Sequence, residues 1–275
     1  MLRVPGVKLF TDGGACGRPA VSWVYPDAGG GSGDLWHEQA ELDALVADVQ
    51  AAGFQAAIHA LGDRGRAAAL RAIEHALAGG PNTLRHRIEH NTLVRSDQLG
   101  RHAALGAVAT LFGDFGTCAF NEGGFARDDL TPGTEGYLWR WRDLLEANPG
   151  ARFAWHSDWP FLSHDPLDHL YGFATRSQRA ADGTVCRPEP EQAADTIPVA
   201  AALATMTAGA AYALGQDAVL GSLEAGKLAD LVVLSASPLA VDVDRIPDIA
   251  VQATLVGGIV RHCGAAAPRR LCSAP

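Results

Sequence analysis

Phe54-Gln55-Ala56-Ala57-Ile58-His59-Ala60-Leu61-Gly62-Asp63 is the stretch on which the fold turns. Its apolar run from Phe54 to His59 reads as a strand, and His59 and Asp63 stand where that run stops. Upstream, Leu42, Leu45, Val46 and Val49 fall at i, i+3, i+4 and i+7, one face of a helix that Gly53 ends. Downstream, Leu70, Ile73 and Leu77 repeat the helical spacing as far as Gly79-Gly80-Pro81, and Leu84 to Glu89 reads as the next strand. The unit recurs along the chain. Val7 to Phe10, Ala107 to Leu111 and Arg152 to Trp155 are further strands. Helices are expected from Ser96 to near Gly106, around Leu138 to Ala147, from Leu167 to Arg176 and from Pro198 to Leu214. A Gly-rich loop is expected from Gly113 to Gly136. Strands alternating with helices imply parallel pairing through right-handed crossovers, hence an α/β sheet or barrel. Beyond Gly215 the rhythm changes. Leu231 to Leu234 and Ala253 to Val260, the latter with a hairpin turn at Gly257-Gly258, read as a small β appendage, and a frayed tail follows from about Ala265.

The chain of 275 residues is long enough to bury a real core. Apolar residues make up 48% and charged residues 19%, which excludes a disordered chain and a collagen-like repeat. A net charge of −9 with no Lys/Arg run repels a phosphate backbone, so no nucleic-acid partner is expected. The one long uncharged stretch, Thr196 to Gln216, is Ala-rich and interrupted by Pro198 and Gly209, which reads as buried helix and not as a membrane span. The first residues lack the apolar core of a secretory signal. Five scattered Cys, none in a C-x-x-C pair, argue against a disulfide framework and suit a reducing, cytoplasmic location.

Polar residues gather at the C-terminal ends of the expected strands, where parallel α/β folds open their active sites. They are Lys8 and Asp12, His59 and Asp63, His90, and His156 with Asp158. Imidazoles and carboxylates brought together there form the donor set of a zinc-like divalent site, and Asp158 is the candidate base for a water made acidic by such an ion. Strand alternation puts His156 and Asp158 on a face with Ala154, and His90 on a face with Ile88. The bland reading weighs against each one: a single His is more often a surface or hydrogen-bonded core residue, Lys8 reads equally as an edge-strand lysine that discourages aggregation, and Asp63 and Ser96 read as helix caps. Gly29-Gly30-Gly31-Ser32-Gly33 lacks the spacing of a phosphate loop. No G-x-G-x-x-G follows a strand, which disfavours a dinucleotide-binding oxidoreductase, and Ser157 lacks the setting of a nucleophilic serine. Trp23, Trp36, Trp139 and Trp159 read as packing residues in preference to a pocket lining.

Taken together, five segments resemble the metal-dependent amidohydrolases of the amidohydrolase 3, YtcJ-like group. In order they are Val7 to Gly13 (VKLFTDG), Ile58 to Asp63 (IHALGD), Arg85 to His90 (RHRIEH), Ser157 to Pro160 (SDWP) and Gly221 to Leu231 (GSLEAGKLADL). The last is shared widely across the amidohydrolase superfamily; the set is specific. The resemblance implies a (β/α)8 barrel with a β-sandwich appendage, hydrolysing C–N bonds of amides or cyclic amides at a site of one or two metal ions, usually zinc. It makes His59 and His90 the metal ligands of strands five and six. Asp158 becomes the strand-eight carboxylate that binds metal and carries the proton, and Lys8 the strand-four lysine that in some relatives is carboxylated to bridge two metals.

The resemblance covers the later half of the family pattern. It implies an incomplete barrel, about strands four to eight in residues 1–214, with part of the β-sandwich in 215–264 and a disordered tail in 265–275. No His-x-His, the pair that supplies two ligands from strand one, occurs in the sequence. His156 stands where the family usually has a small Gly, and the expectation is that its ring crowds the metal or is neutral in preference to replacing a lost ligand. Ala107 to Phe112 lacks the Gln-Pro that often ends strand seven. An open arc is expected to expose apolar area, and leaving about 400 Å² uncovered forfeits about 10 kcal/mol. A truncated chain that associates with itself or with a complementary N-terminal half follows as an expectation. Two functions stay open: an amidohydrolase acting on a small amide-type substrate, and an inactive fragment that keeps only the sequence marks.

Overall fold

The computed structural model describes residues 4–14, 17–26, 29–114, 133–180, 182–188, 193–265, 267–268 and 272. A five-stranded sheet runs in chain order: β1 (Gly6–Phe10), β2 (Gln55–Ala60), β3 (Arg87–His90), β4 (Val108–Leu111) and β5 (Phe153–Trp155). Every neighbouring pair is parallel, with Lys8 opposite Ala57, His59 opposite Glu89 and Thr110 opposite Ala154. The α/β, parallel-sheet expectation therefore holds.

One face of this sheet is covered by helices. In α1 (Gln39–Ala51) Leu42 and Val46 are buried, and α2 (Asp63–Leu77) buries Leu70, Ile73 and Leu77. Both helices pack on Ala56, Ile58 and Ile88, the residues that strand alternation turns to that side. The start of α2 runs so close to the β1 loop that a Cβ on Gly65 would lie 2.6 Å from the Asp12 carboxyl carbon. Hence glycine at 65.

The opposite face is polar where an uncovered apolar face was expected. Glu89 accepts from Arg87 Nε at 2.6 Å and also from the Thr110 hydroxyl, and Arg87 donates to Gln55 Oε1. Gln55 in turn donates to the Ala213 carbonyl at 2.8 Å, so the helical segment that ends there closes the N-terminal end of this face. Exposed apolar side chains do occur at the β1 edge, where Phe10, 38% exposed, stacks on the half-exposed Trp36.

Several boundaries differ from the sequence expectation for local reasons. The third strand begins at Arg87 and not at Leu84, because Arg85 adopts a left-handed backbone (φ 61°) that keeps the preceding turn out of the ladder. The helix expected from Ser96 breaks into a 3-10 turn, Ser96–Gln98, and a short α3 (Arg101–Leu105). The next helix, α4, starts only at Trp141 and runs to Ala147. α5 (Pro166–Thr175) opens on Asp165, whose carboxylate caps the Leu167 N–H at 2.8 Å. The stretch from Val199 to Ala213 is helical throughout but passes through a π-helical segment at Thr205–Gly209. No helix of the described residues is long and apolar enough to cross a membrane.

A short antiparallel pair, β6 (Gln178–Arg179) with β7 (Val185–Cys186), precedes that helical stretch. After it comes a three-stranded antiparallel sheet, ordered β10 (Ile259–Cys263), β9 (Val251–Val256), β8 (Leu231–Leu234). Gly257 and Gly258 join β9 to β10 with φ of 60° and 79°, the two positive values a tight hairpin turn demands. A larger apolar cluster, with Trp139, Trp141, Phe112 and Phe173 at its centre, fills the space between β4, β5, α4 and α5. Trp139 is thus a packing residue, as expected, while Trp159 is exposed. The cysteines depart from expectation. Cys263 is disulfide-bonded to Cys272, with Cα atoms 5.9 Å apart, and Cys186 is also in a disulfide. A pattern of scattered cysteines does not show which pairs the fold brings together, so the case for a reducing compartment loses its support. The expected Gly113 to Gly136 loop and the tail from Ala265 lie largely outside the described residues.

Candidate metal centre

The C-terminal rim of the sheet is built from a break in strand alternation. His90, two residues after Ile88, would by period two point into the helix-covered face. Its backbone is instead left-handed (φ 76°), as is that of Asn91 (φ 54°), and the Asn91 N–H closes a tight turn onto the Glu89 carbonyl at 3.0 Å. Non-glycine residues hold such conformations at a cost of order 1–3 kcal/mol, so the surroundings must enforce them. The Asn91 side chain does so: its amide donates to the Ile88 and Thr110 carbonyls, and its oxygen accepts from Arg66 Nε and His102 Nε2.

Turned this way, the His90 ring meets the side chains of the polar face. It lies 4.6 Å from the His59 ring, 5.1 Å from His156 and 5.3 Å from Phe112, centre to centre. His156 follows β5 and is fixed by its N–H to the Leu111 carbonyl at 3.1 Å. Asp158, two residues on, is also left-handed (φ 54°). One donor atom each from His90, His156 and Asp158 lie within 4.8 Å of one another. His90 Nδ1 and His156 Nε2 are buried and make no hydrogen bond.

Burial sets the protonation. It lowers the pKa of His156 to about 4 and of His59 to about 4, and holds His90 well below its ordinary value, so all three rings are neutral at pH 7 and carry a free lone pair. Desolvation raises the Asp158 carboxyl, against a lowering by Lys8. Burial would raise the Glu89 carboxyl, but the charges of Arg87 and Lys8 and the hydrogen bond from Arg87 hold it below its ordinary value.

This donor set fits a divalent cation. Two imidazole nitrogens kept out of water without a partner are costly unless something accepts their lone pairs. Two nitrogens and a carboxylate oxygen at one point are the chemistry a zinc-like ion takes. Of the residues expected to hold metal, His90 and Asp158 are in the group. His59 is beside it, its Nε2 3.2 Å from the Gly13 carbonyl and 3.8 Å from Asp12 Oδ1. Lys8 has its ammonium 5.2 Å from the Phe10 ring centre and within electrostatic reach of Glu89, Asp158 and His90; it remains open to solvent, although the protein around it lowers its pKa by desolvation.

Asp12 serves the loops. Its carboxylate accepts from the N–H groups of Ala20, Leu61 and Gly62 at 2.7–3.1 Å. Asp63, expected as a helix cap, is the first residue of α2 and instead holds the Ser22 N–H and the Arg95 guanidinium. Sequence reasoning disfavours His156 as a ligand and gives Glu89 and Asn91 no role of their own. The signal for His156 was its strand phase, which it shares with Thr110, Glu89 and His59. No spacing rule pointed to the bend at His90.

A parallel α/β sheet with imidazoles and a carboxylate converging at its C-terminal rim defines the class of the metal-dependent hydrolases. Residues 1–262 match the family model described as Amidohydrolase family, Amidohydro_3, and the chain belongs to that family. Among its relatives, YtcJ of Bacillus subtilis (strain 168), named as an amidohydrolase, is 26% identical over 254 residues, 92% of this chain and 46% of that protein. The N-substituted formamide deformylase of Arthrobacter pascens is 26% identical over 266 residues, 95% of this chain and 46% of its own length. Among solved structures, a metal-dependent hydrolase of uncharacterised function from Pyrococcus horikoshii OT3 superposes with a TM-score of 0.73 at 28% identity, covering 87% of this chain and 46% of that one. The chain spans about half the length of the relatives it matches.

Proposed function

We propose that this chain carries the metal-binding rim of an amidohydrolase that cleaves a C–N bond in a small amide-type substrate, with Asp158 as the proton acceptor and zinc as the metal. The observation that carries the reading is the convergence of His90 and Asp158, one with an unbonded buried nitrogen and the other with a desolvated carboxylate, at the rim of the parallel sheet. A divalent cation there would supply Lewis acidity, polarising a carbonyl and making water deprotonable near neutral pH. His90 holds the cation, and His59, edge-on to His90, is the family's other imidazole at the same place. Desolvation makes the Asp158 carboxylate a better base than an exposed one, which suits it to take a proton from water and return it to the departing nitrogen. Lys8 lies within the electrostatic reach of Asp158 and Glu89, where the family's strand-four lysine would meet the metal.

The same reading extends to architecture. The five parallel strands correspond to strands four to eight of a (β/α)8 barrel and the antiparallel sheet to part of a β-sandwich. This divides the chain at about residue 214 and makes association with a second chain, or with a complementary N-terminal half, part of the working protein. Support comes from the likeness to the Pyrococcus structure, of which this chain covers 46%. The C–N assignment is supported by the name of the deformylase relative. In the decisive experiment, the purified chain is analysed for metal and assayed on N-formyl and N-acyl amines. Near-stoichiometric divalent metal with hydrolysis, lost in Asp158→Asn, is expected. A chain that stays metal-free and inert after incubation with zinc would leave the family membership and remove the function.

A further inference from the structure

We propose that His156 is a metal ligand, completing with His90 and Asp158 a three-donor site. The inference rests on the metal reading above and deepens it, since it assigns the ion to a different set of side chains. Three observations carry it. The donor atoms of His90, His156 and Asp158 lie within 4.8 Å of one another. With metal–nitrogen bonds of about 2.0–2.1 Å, two ligands of one ion stand at most about 4.2 Å apart, so the trio closes on a cation by movements of under about 1 Å. The free nitrogens also agree: His156 Nε2 and His90 Nδ1 are both buried without a partner, whereas His59 Nε2 already faces the Gly13 carbonyl at 3.2 Å.

The third observation concerns approach direction. His156 and Asp158 leave the same short loop after β5, two residues apart, and their donor atoms reach the same point. His90 approaches from the neighbouring rim through its own left-handed bend, and the two rings meet edge to face at 65°. Phe112 packs against both rings at 4.9 and 5.3 Å, which orients them without offering a competing hydrogen bond. His59 then acts as a positioning residue, packed edge-on against His90.

The experiment loads the metal-stripped full chain with Co2+ and measures stoichiometry and affinity by competition with a chromophoric chelator, together with the cobalt ligand-field spectrum. The variants are His156→Gln, His90→Gln, His59→Gln and His156→Cys, each checked for a native circular-dichroism spectrum. The expected result is one ion per chain, with affinity lowered at least about 10- to 100-fold by His156→Gln and by His90→Gln and changed less than threefold by His59→Gln. His156→Cys keeps the ion and gains a near-ultraviolet thiolate-to-cobalt charge-transfer band that the parent lacks, which places residue 156 on the metal even if the Gln variant folds poorly. The inference is overturned if His90→Gln loses the ion while His156→Gln binds as the parent and the Cys variant shows no band; the metal reading then survives. Absence of binding in the parent chain overturns both.

Discussion

Histidines away from the rim show how burial alone sets this protein's response to acid. His86, His102 and His169 are all buried, and in each the pKa is lowered chiefly by desolvation, most strongly in His102. A base with a depressed folded pKa stays neutral in the native state while the unfolded chain takes up a proton near pH 6.5. Its contribution to stability is therefore complete above about 6.5 and is lost as pH falls below it. Asp12 and Asp195 work in the opposite sense: burial raises both to about 6, so they add stability as pH falls from 6 toward their unfolded value. With His59, His90 and His156 at the rim, six depressed imidazoles stand against four raised carboxyls, Asp114 and Asp158 included, which predicts a net loss between pH 6.5 and 5. The sharper test is His102→Gln, whose urea midpoints at pH 7 and pH 5 should differ less than the parent's, by a slope approaching about 1.4 kcal/mol per pH unit. Equal slopes would show that His102 is not the sink. Which residues are histidines is plain in the sequence; that His102 has its Nε2 on Asn91 and no water is a property of the fold.

At the scale of elements, the close contacts are made by glycine. The π-helical segment Thr205–Gly209 presses on β5, and a Cβ at Gly209 would lie 1.9 Å from the Phe153 carbonyl oxygen. Gly209→Ala must drive helix and strand apart at the strand that leads into His156 and Asp158. A loss of about 1–3 kcal/mol is expected, read as a lower Tm, with weaker metal binding if the strand carries the loop with it. An unchanged Tm would mean that the contact relaxes freely. The sequence placed this helix through its Ala-rich run and placed its neighbours through period and glycine stops. The interruption of the Ser96 helix falls at Gly100, a weak helix former that caps the Arg101–Leu105 segment, and the turn before it is fixed by Gln98, whose carbonyl and side-chain oxygen accept from the Arg66 guanidinium.

Over the whole molecule, metal and fold should be linked. An ion that binds the native rim and not the unfolded chain stabilises by about 2.7 kcal/mol at a free concentration 100 times its Kd. Zinc added to the stripped chain should accordingly raise Tm by several degrees, EDTA should reverse the shift, and His90→Gln should abolish it. A Tm indifferent to zinc and EDTA would count against a preformed site. The polar ladder of Gln55, Arg87, Glu89 and Thr110 bears on the same scale. It makes the free face of the sheet a hydrogen-bonded surface, and leaves the β1 edge with Phe10 and Trp36 as the apolar exposure on that side.

By itself the sequence determined the repeat of helix and parallel strand, the β hairpin at Gly257-Gly258, the family, and the imidazoles and carboxylate available for chemistry. These follow from local causes: apolar period, glycine freedom and ordered motifs. Only the tertiary structure decided which of those side chains meet. The outcome hangs on the left-handed backbone of His90, which period-two alternation does not foresee, and the turn is held through the Asn91 side chain by Thr110 and Arg66, from elements distant in the chain. The polarity of the sheet's free face and the cysteine pairing likewise depend on register and proximity between segments, which a reading along one strand at a time does not contain.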